Sequence, residues 1–309
     1  MKSGSSSAES TRGLLAALTC YVAWGIVPIY WKQMARVDPF ELVAHRVVWS
    51  FFVFGVLMTW LGVVPEVLTA FGNRRIIRFN LVSGLLLAAN WVIYIWAVNA
   101  GHVIECSLGY FLVPLFNVVL GRVVLKEVIR PLQALAIGIA ALGVSLLVMR
   151  VGHFPWIALG LAVTFGFYGL LRKKTGVGAV AGLMVETSLM TPVAAGWLIW
   201  LALDGRGVLG HVDLGTTSWV LSTGIVTAIP LLLFGYGANR LRLTTLGLLQ
   251  YAAPTLQFLI GWIVYREPFS RDRAGAFLLI WIGLVAYSID TWIQQRRRRS
   301  EGVVVKAAA

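Results

Sequence analysis

A chain of 309 residues that is 59% hydrophobic and only 13% charged cannot bury its apolar surface inside a water-soluble core. A mean hydropathy of +0.81 and thirteen tryptophans point to a lipid surround instead. The net charge of +13 would suggest nucleic acid in a soluble domain. Here the basic residues fall in short clusters between apolar runs, the pattern that orients membrane helices, and no nucleic-acid partner is expected.

Residues 1–12, MKSGSSSAESTR, are polar and Ser-rich and read as a disordered tail with no signal-peptide cleavage pattern. Ten apolar runs follow, each nearer the roughly 20 residues that cross a bilayer than a dozen. They lie at about 13–32, 41–63, 77–99, 104–122, 131–149, 154–172, 178–203, 217–239, 244–265 and 272–293. The connections are short and carry turn and charge signals, among them DP at 38–39, NRR at 73–75, RKKTG at 172–176, DGRG at 204–207 and REPFSRDR at 266–273. Residues 294–309, with RRRR at 296–299, form a basic tail. With the N-terminus inside, eighteen Lys and Arg fall on the cytoplasmic side and seven on the other. That asymmetry places both termini in the cytoplasm and supports an even number of spans. Cys20 and Cys106 fall inside apolar runs without a C-x-x-C partner, so they read as small buried hydrophobes, not a disulfide or a zinc site.

A repeat runs through the chain at an offset of 140 residues. It pairs Gly84 with Gly224, Asn99 with Asn239, Pro114 with Pro254, Gly121 with Gly261, Lys126 with Arg266, Glu127 with Glu267 and Gly143 with Gly283. Two homologous halves of five spans each, residues 13–150 and 151–293, follow from it. An odd number of spans per half inserts the second half upside down, which is a signature of secondary transporters with a substrate site between the halves.

The same offset pairs Arg46 in the second span with Glu186 in the seventh. A charge in hydrocarbon is costly and marks function by default. If the two positions lie near the repeat axis they face one another, and a paired charge loses much less on burial than a lone one. Arg46 reads either as a partner for a substrate anion or coupling carboxylate, or as a snorkelling anchor. Glu186 is too short to snorkel far and can protonate, so coupling or pairing is expected of it.

His45 sits one turn after Glu41 and is either half of a local interface pair or part of a proton relay. Tyr21, Trp24, Trp91, Tyr94, Tyr110, Tyr168 and Tyr236 are candidate cavity aromatics, and Tyr251 stands with Gln250 beside Pro254 in the ninth span. Trp91, Tyr94, Tyr110 and Tyr251 are expected to face a cleft between the halves. Asn99 and Asn239 read as caps, and Lys126–Glu127 and Arg266–Glu267 as anchors at span ends. GAVAG at 178–182 has the G-x-x-x-G spacing of close helix approach.

Taken together, YVAWGIVPIYWK (21–32), ELVAHRVVWS (41–50), NWVIYIWAVN (90–99), SLGYFLVPLFNVVLG (107–121), GLMVETSLMTPVA (182–194), PLLLFGYGANRL (230–241) and LGLLQYAAPT (246–255) resemble the drug/metabolite transporter superfamily. Within it the chain is similar to the EamA family and its RarD-like permeases. The resemblance implies an all-α membrane protein of ten helices in two inverted five-helix repeats, in a bacterial inner membrane. It implies transport, commonly outward, of a small polar metabolite or drug. Protons are a candidate coupling partner, and the oligomeric state is open. The competing reading is an intramembrane enzyme acting on a lipid. The chain lacks H-E-x-x-H, G-x-S-x-G and a nucleotide loop, so no catalytic residue, metal or cofactor is expected.

Overall fold

The computed structural model describes residues 3–126, 128–151, 154–238 and 249–307. Its helices are α1 (Ser3–Lys32), α2 (Pro39–Trp60), α3 (Val64–Phe71), α4 (Arg74–Asn99), α5 (Val103–Leu125), α6 (Pro131–Val151), α7 (Trp156–Thr175), α8 (Ala179–Leu203), α9 (Leu214–Ala238), α10 (Ala252–Leu259, continued by a π-helical turn Ile260–Val264) and α11 (Arg271–Ala307). Six of them are long and apolar enough to cross a membrane, and four shorter apolar helices stand at 131–146, 156–172, 252–264 and 274–290. The chain is therefore a multi-pass, all-helical membrane protein.

The ends of these helices follow from local chemistry. Asp38 caps α2 by accepting from the amides of Phe40 (2.9 Å) and Glu41 (3.2 Å), with Pro39 in the first turn. Asn73 does the same for α4 through Arg75 and Ile76. Asp213 accepts from the Thr216 hydroxyl and amide ahead of α9, which pulls its carboxyl below the ordinary range. Pro254 lies in the first turn of α10, where a missing amide costs no intrahelical bond.

Three boundaries depart from expectation. The stretch expected as a disordered tail is helical from Ser3, and α11 runs on through RRRR to Ala307. Neither stretch holds a proline, and extending an existing helix costs far less than nucleating one. The second span stops at Trp60, where Gly62 turns the chain at φ +68°. A further helix, α3, then forms behind Pro65.

The helices pack in a regular scheme. α6 lies along α11, α7 contacts α4 and α5, and α1 contacts α9 and α10. At the centre α2 packs on α8 and α9, α4 touches α8, and α5 touches α10. Cys20 and Cys106 are free and buried, as expected.

One expected anchor does more than mark a span end. Glu267 is buried, and its two carboxylate oxygens accept from the amides of Val103 (2.7 Å) and Ile104 (2.9 Å), capping α5 from across the fold. Burial pushes its carboxyl up, while the two amides, His102 and Lys32 pull it down. Glu267→Ala is expected to cost about 2 kcal/mol, measured as a fall in unfolding temperature in detergent. An unchanged temperature would reduce the residue to an anchor. Its counterpart Glu127 lies outside the described residues.

Candidate functional site

Arg46, the eighth residue of α2, occupies the middle of an aromatic cluster. Its guanidinium lies 3.7 Å from the Trp91 ring centroid and 5.2 Å from that of Trp31. A cation over a desolvated indole face gains about 2 kcal/mol. Its Nε donates to Thr227 Oγ1 on α9 at 2.9 Å, and Thr227 passes its own proton to the Thr223 carbonyl. Tyr30, Tyr94 and Tyr110 are close enough to interact electrostatically with it. Tyr110 packs edge-on against Tyr94 with centroids 5.6 Å apart and donates to Asn90 Oδ1. The Asn90 amide in turn donates to the Leu161 carbonyl and Thr164 Oγ1 of α7. One connected network thus joins α1, α2, α4, α5, α7 and α9.

Glu186, the eighth residue of α8, is buried in a second polar cluster. It accepts from the Ser83 hydroxyl at 2.5 Å and pairs with Arg172 Nη1 at 3.7 Å. Arg172 also donates to the Gly178 carbonyl at 3.1 Å and to Asn80 Oδ1 at 3.4 Å. The expected facing of Arg46 and Glu186 is therefore corrected. Among the described residues, the cation paired with Glu186 is Arg172, and Arg46 makes no ion pair. Arg172 reads in the sequence as a loop cation, and the 140-residue offset pairs it only with Lys32, another cation at a span end. GAVAG acquires a different purpose. A Cβ at Gly182 would fall within the Arg172 guanidinium, so this glycine makes room for the ion pair.

His45 is buried with its Nε2 3.8 Å from Glu41 Oε1, too far for a hydrogen bond. Glu41 instead accepts from the Val208 amide at 2.5 Å. The four aromatics expected around one cleft divide. Trp91, Tyr94 and Tyr110 gather at Arg46, whereas Tyr251 stacks on Phe111 in a separate apolar cluster. An apolar groove of about 1090 Å³ between α2, α4 and α8 is lined by Val47, Ala88, Met190 and Trp197 among others, and by none of the four. Asn99 contributes its backbone carbonyl to Lys32 Nζ at 3.2 Å and does not cap with its side chain, which is buried without a hydrogen bond. Asn239 lies outside the described residues. Trp31, Tyr30, Thr227, Asn90 and Ser83 complete the two clusters, and single polar residues in apolar runs gave no hint of which would meet.

Residues 11–149 match the EamA-like transporter family. An uncharacterised transporter of Pseudomonas aeruginosa is 42% identical over 302 residues, covering 96% of this chain and 99% of the relative. Protein RarD of Escherichia coli is 42% identical over 289 residues, covering 94% of this chain and 98% of the relative. A solved crystal structure that is 22% identical superposes with a TM-score of 0.58, over 89% of this chain and 96% of the other. Its likeness concerns the fold. The relatives span both halves, including the segments that build the Arg46 and Glu186 clusters, and the chain belongs to the EamA-like transporter family as a RarD-like permease.

Proposed function

We propose that the protein is a secondary active transporter that moves a small polar metabolite or drug outward across the inner membrane. It works by alternating access between inverted five-helix repeats, residues 13–150 and 151–293. Both termini are cytoplasmic in this reading. Arg46 with its aromatic surround anchors the substrate, and Glu186 with Arg172 serves coupling to protons.

The observation that carries the reading is a packing equivalence at the 140-residue offset. A Cβ on Gly143 would stand 2.9 Å from the Ala276 carbonyl oxygen and 2.9 Å from Ile280. A Cβ on Gly283 would stand 2.8 Å from the Ala136 carbonyl oxygen and 3.4 Å from the Ala140 amide. Positions 276 and 280 are 136 and 140 shifted by that offset. Lys126 and Arg266, also so related, share a left-handed backbone at φ 57° and 51°. The helix contacts follow suit, since α4 and α5 on α7 correspond to α9 and α10 on α1. The polar clusters also correspond, with α2 reaching α9 at Arg46–Thr227 and α8 reaching α4 at Glu186–Ser83. Equivalent contacts made twice support a repeat that can exchange two states about a fixed site.

Two experiments test this. Substrate flux in proteoliposomes, with and without a pH gradient, tests coupled transport. Cysteines introduced at Arg74 and Lys174, both exposed, are expected to react only from the cytoplasmic side. One at exposed Leu209 is expected to react only from outside. Labelling of all three from one face would overturn the ten-span topology.

A further inference from the structure

We infer that the Arg46 centre selects organic anions bearing a carboxylate and rejects organic cations. This rests on the transport reading and adds to it the chemical class of the substrate.

A guanidinium carries five N–H donors. At Arg46, among the described residues, only Nε has an acceptor, Thr227 Oγ1. Trp91 and Trp31 pack against the group, and among the described residues its two Nη atoms have no hydrogen-bond acceptor. Among the described residues, two further donors of the cluster have no acceptor. Trp31 Nε1 and Tyr94 Oη are buried without a hydrogen-bond partner, in side chains only 1% and 4% exposed. Tyr94 stands one helical turn beyond Trp91, on the same face of α4. Two acceptors of the cluster bind other donors. Asn90 Oδ1 takes the Tyr110 proton, and Thr227 Oγ1 takes that of Arg46. Among the described residues no carboxylate pairs with Arg46.

Buried donors that lack acceptors are costly, and proteins rarely tolerate several together. A carboxylate has the acceptor capacity for them together. It offers about four lone-pair sites, it matches the guanidinium edge in the two-point geometry that Arg favours, and its charge offsets that of Arg46. An ammonium brings more donors and a like charge to a site already rich in both. A primary amide satisfies one donor or two and leaves the charge unpaired.

The test uses the full chain in proteoliposomes loaded with a metabolite extract of bacterial cells. Solutes that leave are identified by mass spectrometry against protein-free liposomes. The expected result is release dominated by carboxylates of net negative charge, and their retention in Arg46→Gln. Tyr94→Phe removes a hydroxyl with no partner among the described residues. It is expected to leave unfolding temperature unchanged and to slow release of the same solutes about tenfold. Release dominated by cations or neutral solutes overturns the carboxylate assignment and leaves transport standing. No protein-dependent release defeats the transport reading, and this inference with it. Should Arg46→Gln fail to fold, binding to the parent protein in detergent decides, read by quenching of tryptophan fluorescence. 3-Phenylpropionate is expected to bind at least tenfold tighter than 3-phenylpropionamide and 3-phenylpropylamine, and any other order, or no binding of the acid, overturns the inference.

Discussion

Arg46→Ala is expected to reduce substrate flux by at least about 100-fold while the protein still reaches the membrane. A charge-assisted hydrogen bond in a desolvated site contributes about 1.5–3 kcal/mol. Two such bonds to a substrate therefore place the loss at two or more decades. Folding survives for a reason the sequence did not suggest. Had Arg46 been the partner of Glu186, its removal would orphan a buried carboxylate. The structure assigns that carboxylate to Arg172, so the alanine leaves behind two indole faces and a Thr227 hydroxyl that keeps its 2.8 Å bond to the Thr223 carbonyl. The cost in stability is then the lost cation–π contact, about 2 kcal/mol. Arg46→Lys keeps the charge but not the planar fork, and an intermediate loss of about tenfold is expected. Flux and membrane abundance, measured together for both variants, check this. Near-normal flux in Arg46→Ala would make Arg46 a snorkelling anchor and remove the substrate site from this cluster.

The helices were legible because apolar length is a one-dimensional signal, and the 140-residue offset because spacing survives even where residue identity fades. What could not be read was which polar residue meets which. Arg46 and Glu186 are related by the offset, and each is the eighth residue of its helix. In the proposed inverted arrangement, equal depth from opposite faces would separate the two along the membrane normal. The offset relates them, but each bonds elsewhere, Arg46 to Thr227 and Glu186 to Arg172 and Ser83. Thr227 and Ser83 were equally hidden, since a lone hydroxyl in an apolar run bonds its own helix as readily as a neighbour. Thr227 does both. Glu267 shows the opposite failure. Its charge near a span end read as an anchor, and only the fold brings α5's first amides onto it.

Arg172→Ala is expected to be the most destabilising single change at the polar centres, costing about 3–5 kcal/mol, the price of breaking a buried pair from one side. Glu186 is 2% exposed, and its Oε2 has no hydrogen-bond partner. Without the guanidinium the carboxylate keeps only the Ser83 hydroxyl, so it must hold a proton or leave the fold short of a counter-charge. Removing the other side is cheaper. Glu186→Gln keeps an acceptor for Ser83. It leaves Arg172 still donating to the Gly178 carbonyl and Asn80 near the end of α7, where its side chain is 14% exposed. The double variant Arg172→Ala/Glu186→Gln is therefore expected to recover most of the abundance and unfolding temperature lost in Arg172→Ala. Gly182→Ala is expected to resemble Arg172→Ala in part, because its methyl occupies the guanidinium's place. Transport separates stability from coupling. If Glu186 carries the coupling proton, Glu186→Gln folds well yet its flux ignores an imposed pH gradient, and the double variant behaves likewise. A double variant less stable than Arg172→Ala alone would dissolve the pair. A gradient response in Glu186→Gln equal to that of the parent would assign coupling elsewhere and leave Arg172–Glu186 as a structural lock between α7 and α8.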